Sequence, residues 1–551
     1  MFLEINPGKM IVCLKHNGKF IKRNFKSSCR SNNFYTHSFS IRRQPTLNEL
    51  RPYKKQSVMR IFFVFLVLSL GINQLRSQHL TVTVVDAKTG APIPFATVVT
   101  GKHSGLITND EGVFAITERQ LVSIKDSIFI SSMGYEKVGL WQPRGETTIS
   151  LVPKTFELAE VFLNANPLTA TEVIEKVKEN TLANYTITPS KKKIFFRQSD
   201  LNIMTKVDFG FKKSSIDELN EELFDEIAAS IPRKSMYYKE AVGDFYGDYN
   251  SNKLHIDKAA ELYDKNKDIS MDGLSDRLER IFKENVKPDS YLKIRSGLIG
   301  TKIELDSISN ENKEETAIIK AEIDTPEKTG FQADLKDRIS ELFEQLFFNE
   351  DSELDILEKS NRYEFTHKDY TFIDDSAVYI IGFEPKGKKK FKGVLYVNAQ
   401  DYAVMRLEFE NVRPLNKFGM LGISYSRSVF KGKMLFAKES KGGYGVSYME
   451  LEDGITFGVD RPLNVIEKNK HVKGRRKQNE LALHLDIGTT NISKYELVVF
   501  SSENISDDDF KQASENPDVK PSYLSKYDPD FWKEYTIMEP NAAIQAFEVL
   551  E

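Results

Sequence analysis

From Leu80 onward the chain alternates apolar and polar positions in short bursts broken by turn residues. Leu80–Asp86 reads Leu-Thr-Val-Thr-Val-Val-Asp and closes on Lys88-Thr89-Gly90, the pattern of a half-buried strand ending in a glycine turn. Pro94–Thr100, Ser104–Thr108, Val113–Thr117, Ser127–Ser131, Lys137–Trp141 and Thr147–Val152 repeat it. Seven short strands with no clear helix between them predict a β-sandwich.

The period then lengthens. Thr169-x-x-Glu172 is a capping box ahead of Val173, Ile174 and Val177, which share one helix face. Ile216, Leu219, Leu223 and Ile227 step by threes and fours, as do Leu274, Leu278, Ile281 and Phe282. Leu335, Ile339, Leu342, Phe343, Leu346 and Phe347 form the clearest apolar stripe, expected to pack as a lid on the sheet that follows. From Arg362 to Phe500 alternation returns and predicts an antiparallel meander of about ten strands. Turns are expected at Pro385–Lys390, Asn398–Asp401, Lys431-Gly432 and Asp453-Gly454.

One run has no period. Ile61–Leu70 is apolar but for Ser69, follows Met59-Arg60 and precedes a polar approach to Ser77. That layout is a secretory signal, and the run is short of the ~20 residues a bilayer span needs. Met59 then reads as the start, and 1–58 as a disordered basic extension or a start-site artefact. Charge divides at the same place. Fourteen basic and two acidic residues precede Gln78, a net +12, which leaves −15 for the rest of a chain whose total is −3. An acidic remainder argues against a nucleic-acid partner. Cys13 and Cys29 both lie before Met59, so the chain beyond it has no disulfide, thiolate metal site or cysteine nucleophile.

The strand residues also carry a resemblance. Val84-Val85-Asp86 with Thr89–Val98, then Gly105–Phe114, then Ser131-Ser132-Met133-Gly134-Tyr135 resemble, in order, three signatures of the carboxypeptidase regulatory-like domain. The resemblance implies a transthyretin-like sandwich and no peptidase activity, because that module is the non-catalytic companion of the enzymes. Leu158-Ala159-Glu160-Val161, the helix and strand that follow, and the Trp532 segment resemble envelope proteins of the Bacteroidetes type. Phe391–Asn398 with Asp401–Arg406 looks like a strand–turn–strand of lipoprotein-carrier-like periplasmic sheets, which bury a lipid or hydrophobic ligand between a curved sheet and helices.

Candidate chemistry is sparse. His79, His103, His255, His367, His471 and His484 have no zinc-peptidase spacing, and no nucleophile elbow or phosphate loop occurs. Asp110-Glu111 reads as a solvated turn rather than half a calcium site. The acids of Asp217–Glu226 read as a helix face. Tyr237, Tyr238, Tyr246, Tyr249 and Tyr263 read as sheet packing rather than a glycan platform. Lysines at Lys386–Lys392 and the basic run Lys473, Arg475, Arg476 and Lys477 read as hairpin loops, with anionic lipid as the sharper alternative.

The expectation is an α+β multidomain protein. A signal (59–77) leads a seven-stranded β-sandwich (78–164), then a mainly helical region (165–360), then a large antiparallel β-meander with a C-terminal aromatic segment (361–551). No catalytic, cofactor-binding or metal residue is assigned and no cofactor is expected. The expected role is a non-enzymatic binding or assembly protein of the periplasm or the periplasmic face of the outer membrane. Its partner would be an envelope protein, lipid or glycan, with peripheral membrane association open. The rivals are a small outer-membrane β-barrel with a periplasmic sandwich and a hydrolase of envelope polymers.

Overall fold

In a computed structural model, residues 80–549 are described, apart from 102–103, 125–126, 142–146, 155–167, 186–187, 250, 288, 298, 305–329, 374–375, 440–441 and 473–476. The apolar run Ile61–Leu70, Leu158–Val161 and the basic residues Lys473, Arg475 and Arg476 lie outside them.

The first strands are β1 (Leu80–Asp86), β2 (Thr97–Gly101), β3 (Ser104–Ile107), β4 (Val113–Ile116), β5 (Ile128–Ser131), β6 (Val138–Leu140) and β7 (Thr147–Leu151). They form a three-stranded sheet, β4-β1-β7, and a four-stranded sheet, β3-β2-β5-β6. Inward alternation explains their cohesion: Leu80, Val82 and Val84 of β1 are buried with Val98, Ile128 and Ile130 in one cluster. A helix, α1 (Glu118–Ser123), interrupts the expected all-strand run. Thr117 and Gln120 cap it reciprocally, a capping box hidden in a segment too short to show a period.

Next come α2 (Ala170–Asn184), β8 (Ser190–Ser214), α3 (Glu221–Ser230), β9 (Lys234–Gly247), β10 (Asn252–Leu262), α4 (Lys265–Asn285), β11 (Ser290–Ser296), β12 (Ile299–Glu304) and α5 (Phe331–Glu344). The span 165–360, expected to be mainly helical, therefore holds five strands as well. Their mixed half-burial blurred the period-2 signal: the second half of β8 is half-exposed on both faces. The rest is β13 (Tyr363–Ile373), β14 (Ser376–Pro385), β15 (Phe391–Asn398), β16 (Val404–Asn411), β17 (Asn416–Met420), β18 (Ile423–Lys438), β19 (Tyr444–Asn469), β20 (Lys477–Asn504), α6 (Asp507–Gln512), β21 (Ser522–Leu524) and α7 (Ala542–Gln545).

Strands β8–β21 make one 14-stranded sheet. Its main path runs β13-β14-β15-β16-β18-β19-β20-β8-β9-β10-β21, so regions separated in sequence interleave. Two expected turns are strand interior. Gly432 lies within β18, where a Cβ would collide with the Glu450 carbonyl oxygen and sit 3.0 Å from the Phe409 ring. Gly454 lies within β19, where a Cβ would sit 2.8 Å from Val429, opposite a bulge. These glycines permit close approach rather than chain reversal. Segments expected as separate strands thus fuse into β18, β19 and β20. At 28 residues, β20 spans roughly 90 Å at about 3.3 Å per residue.

Candidate functional site

Register assigns the two faces of the sheet. On one face Phe195, Tyr238, Val242, Tyr448 and Val498 join the cluster of the small sheets and the C-terminal tail. Phe95 reaches this face from the loop before β2. Its ring centroid is 4.9 Å from that of Tyr448, Lys433 Nζ lies 4.7 Å from its ring centre, and its φ is +59°. Beside it is a buried polar network. Arg197 donates from Nε to Glu240 (2.6 Å) and from Nη2 to the Met538 carbonyl (2.9 Å), and Trp532 Nε1 donates to Glu240 Oε2 (3.0 Å). Lys494 pairs with Glu450 (3.2 Å) and Glu496 (3.1 Å), and the single Tyr448 hydroxyl proton lies within reach of both carboxylates, nearer Glu450 (3.0 Å) than Glu496 (3.3 Å). Desolvation opposes the Glu450 charge, yet Lys494 and Lys433 hold its carboxyl below the ordinary value. Glu240, Glu450 and Glu496 each have a basic or hydroxyl partner, so this network clamps the tail to the sheet.

The tail is held from the other side too. Glu111 accepts from the Ala542 backbone N–H (3.0 Å) at the start of α7, Asn109 donates to the Pro540 carbonyl (3.4 Å) and Gln120 to Thr536 Oγ1 (2.7 Å). The acidic turn Asp110-Glu111 thus contributes one carboxylate to fastening the tail.

The opposite face carries helices at both ends. Val173, Ile174 and Val177 of α2 and Leu335, Ile339, Leu342 and Phe343 of α5 bury against Ile194, Phe196, Met434 and Leu497. At the far end Leu223, Phe224 and Ile227 of α3 and Ile281 of α4 cluster with Leu483. Between them, on β8, β19 and β20, Met204, Val207, Ile455, Phe457, Val459 and Ile487 share the face by register with Asn202, Thr489 and Asn491, and Val207 and Phe457 among them are buried. The α5 side of this apolar floor is bounded by polar pairs: Arg427 with Asp453 (2.7 Å) and Ser493 with Asp200 (2.6 Å). Burial raises the Asp200 carboxyl above its usual range, partly offset by the bonds from Ser493 and Gln198. A mostly apolar floor with a polar rim suits an amphiphilic ligand. Sequence reading missed it because its residues come from strands almost 300 positions apart.

Other sequence candidates resolve into packing. Tyr238 is buried, Tyr249 packs at a tilt against Phe343 (4.9 Å), Tyr263 packs edge-on against Tyr523 (5.1 Å), and Tyr237 donates to Glu261. Three lysines of the basic turn are partnered, Lys389 with Asp355, Lys390 with the Leu415 carbonyl (2.8 Å) and Lys392 with Glu410 (2.8 Å), while Lys386 and Lys388 are exposed. On the acidic face of α3, Glu226 pairs with Arg277 of α4 (2.6 Å). His367 bonds the Leu168 carbonyl (2.9 Å) and His484 bonds Asp460 (2.7 Å). Among the described residues no three His, Cys, Asp or Glu side chains converge as metal ligands, and no helix is long and apolar enough to cross a membrane.

No family model and no curated protein matches this chain. Solved structures align with low scores. A Vibrio parahaemolyticus domain named for outer-membrane lipoprotein sorting is 11% identical, with 62% of this chain and 97% of that one covered and a TM-score of 0.18. A LolA superfamily protein from Nitrosomonas europaea is 10% identical over the same shares, with a TM-score of 0.15. The MucA/MucB complex of Pseudomonas aeruginosa gives 6% identity, 61% and 99% coverage and a TM-score of 0.14.

Proposed function

We propose that the chain is a non-enzymatic binding or assembly protein of the cell envelope, carried across the inner membrane by the segment around Ile61–Leu70, and that its large sheet receives an amphiphilic, lipid-like ligand. The observation that carries the ligand class is the mostly apolar floor of Met204, Ile455, Phe457 and Ile487, interleaved with Thr489 and Asn491, beside the Arg427–Asp453 and Ser493–Asp200 rim. The two small sheets are read as a carboxypeptidase regulatory-like sandwich. Tyr135 of its third signature donates to Asp86 of its first (2.9 Å), which supports that reading. A spanning barrel must close on itself, whereas the sheet path described here ends at β13 and β21. A hydrolase needs converging acid and base, and Glu240, Glu450, Glu496 and Asp453 are committed to basic partners.

The test is titration of the protein with cis-parinaric acid, whose fluorescence rises in an apolar site. Saturable binding that Phe457→Asp abolishes, without loss of the folded signal in circular dichroism, is the expected result. Absence of binding to the folded wild-type chain sinks the ligand class. Carbonate extraction of the membrane fraction tests placement separately: release supports a peripheral envelope protein, and resistance restores the barrel.

A further inference from the structure

Two hairpins meet at one edge of β19. Strand β18 pairs with β19 as far as Ile423–Val459, and β11 takes over from Arg295–Asn464. The turns of β17–β18 and β11–β12 both pack on Arg461: a Cβ on Gly422 would lie 2.9 Å from its Cγ, and one on Gly297 would lie 3.3 Å from its Nη2. Arg461 also donates to the Ser296 carbonyl.

The first turn breaks the rules of its own geometry. Met420 pairs with Ile423, leaving a two-residue loop with φ +51° at Leu421 and +76° at Gly422. Such primed turns favour Asn-Gly, and a leucine at positive φ is strained. Nothing repays the strain by burial, since Leu421 is 54% and Met420 56% exposed, with Phe418 also exposed on β17. The second hairpin is basic. Tyr291, Lys293, Arg295 and Lys302 line a hollow of about 600 Å³. Lys293 stands opposite Lys302 in register, and Lys302 lies over Tyr291 at 4.2 Å. Lys293, Arg295 and the exposed Lys417 have no ion pair among the described residues. Two acids lie beside the turns: Asp460, bonded by His484, and Asp486 opposite it in register, paired with Lys206.

We propose that this edge is a docking surface for an anionic lipid bilayer. Leu421, Met420 and Phe418 enter the interface while Lys293, Arg295 and Lys417 meet the phosphate headgroups. Exposed apolar side chains flanked by unneutralised cations are complementary to that surface on both counts. A strained leucine in place of asparagine is explained by contact outside the molecule. The proposal presumes the envelope placement argued above but does not depend on the apolar floor.

The experiment is co-sedimentation of the full chain with phosphatidylcholine vesicles, with and without phosphatidylglycerol. Wild type should partition onto the anionic vesicles and lose that binding at high salt. Lys293→Glu/Arg295→Glu should lower partitioning about tenfold or more. Leu421→Asn should lower it as well while leaving thermal stability unchanged or raised, because asparagine suits the turn. Parinaric acid binding should survive Leu421→Asn, so failure here is distinguishable from failure of the ligand reading. Binding that neither variant changes would assign it to another segment such as Ile61–Leu70 and overturn the proposal. Equal binding to neutral vesicles would do the same, and so would capture of soluble inorganic phosphate without vesicle binding.

Discussion

Arg197 Nε lies 2.6 Å from Glu240 Oε1 across neighbouring strands, and both side chains are almost fully buried. The pair ties β8 to β9 and, through Met538 and Trp532, ties both strands to the C-terminal tail. Removing one partner leaves the other charge buried and uncompensated. Arg197→Met is therefore expected to cost about 3–5 kcal/mol in urea unfolding, and Arg197→Met/Glu240→Leu to recover much of it. Equal losses in the single and double variants would show that the pair is not the source.

The half-buried Glu539 sits beside the same arginine. Desolvation raises its carboxyl to about 7, Arg197 opposes the shift and Glu240 reinforces it. A carboxyl whose folded value exceeds its unfolded value of 4.5 keeps its proton better when folded. Stability from this group is therefore present below the unfolded value and declines as pH rises to about 7. Glu539→Gln should flatten that decline and stabilise the chain at pH 8 by on the order of 1–2 kcal/mol, after solvent screening. Thermal melts across the pH range measure it.

Gly432 and Gly419 make a matched pair. A methyl at Gly432 meets the Glu450 carbonyl and the Phe409 ring, whereas one at Gly419 meets nothing within 4 Å. Gly432→Ala should destabilise by about 1–3 kcal/mol while Gly419→Ala stays near neutral. Indistinguishable urea midpoints would contradict the fused course of β18.

Asn220 caps α3 by accepting from the Leu223 N–H (3.0 Å). Its change to alanine should cost about 1 kcal/mol. Hydrogen exchange should quicken in Glu221–Ser230 and leave α2 unchanged, because the two helices belong to different apolar clusters.

Local pattern was enough for some elements. Val173, Ile174 and Val177 behind a Thr169–Glu172 box specify a helix and its buried face without help from the rest of the chain, and the α5 stripe does the same. The first strand needed only the alternation of Leu80, Val82 and Val84. Other elements could not be read locally. Gly432 and Gly454 carry the same letter as a turn glycine, and only the strand opposite tells close approach from reversal. The second half of β8 looked unlike a strand because it lies where neither face is fully covered. Its partner β20 is almost 300 residues away. The apolar floor, the Arg197–Glu240 clamp and the meeting of two hairpins on Arg461 share that dependence. Helix caps and single-strand alternation are set by neighbours in sequence. A site on a sheet is set by which strands pair, and that follows from burying the whole chain at once.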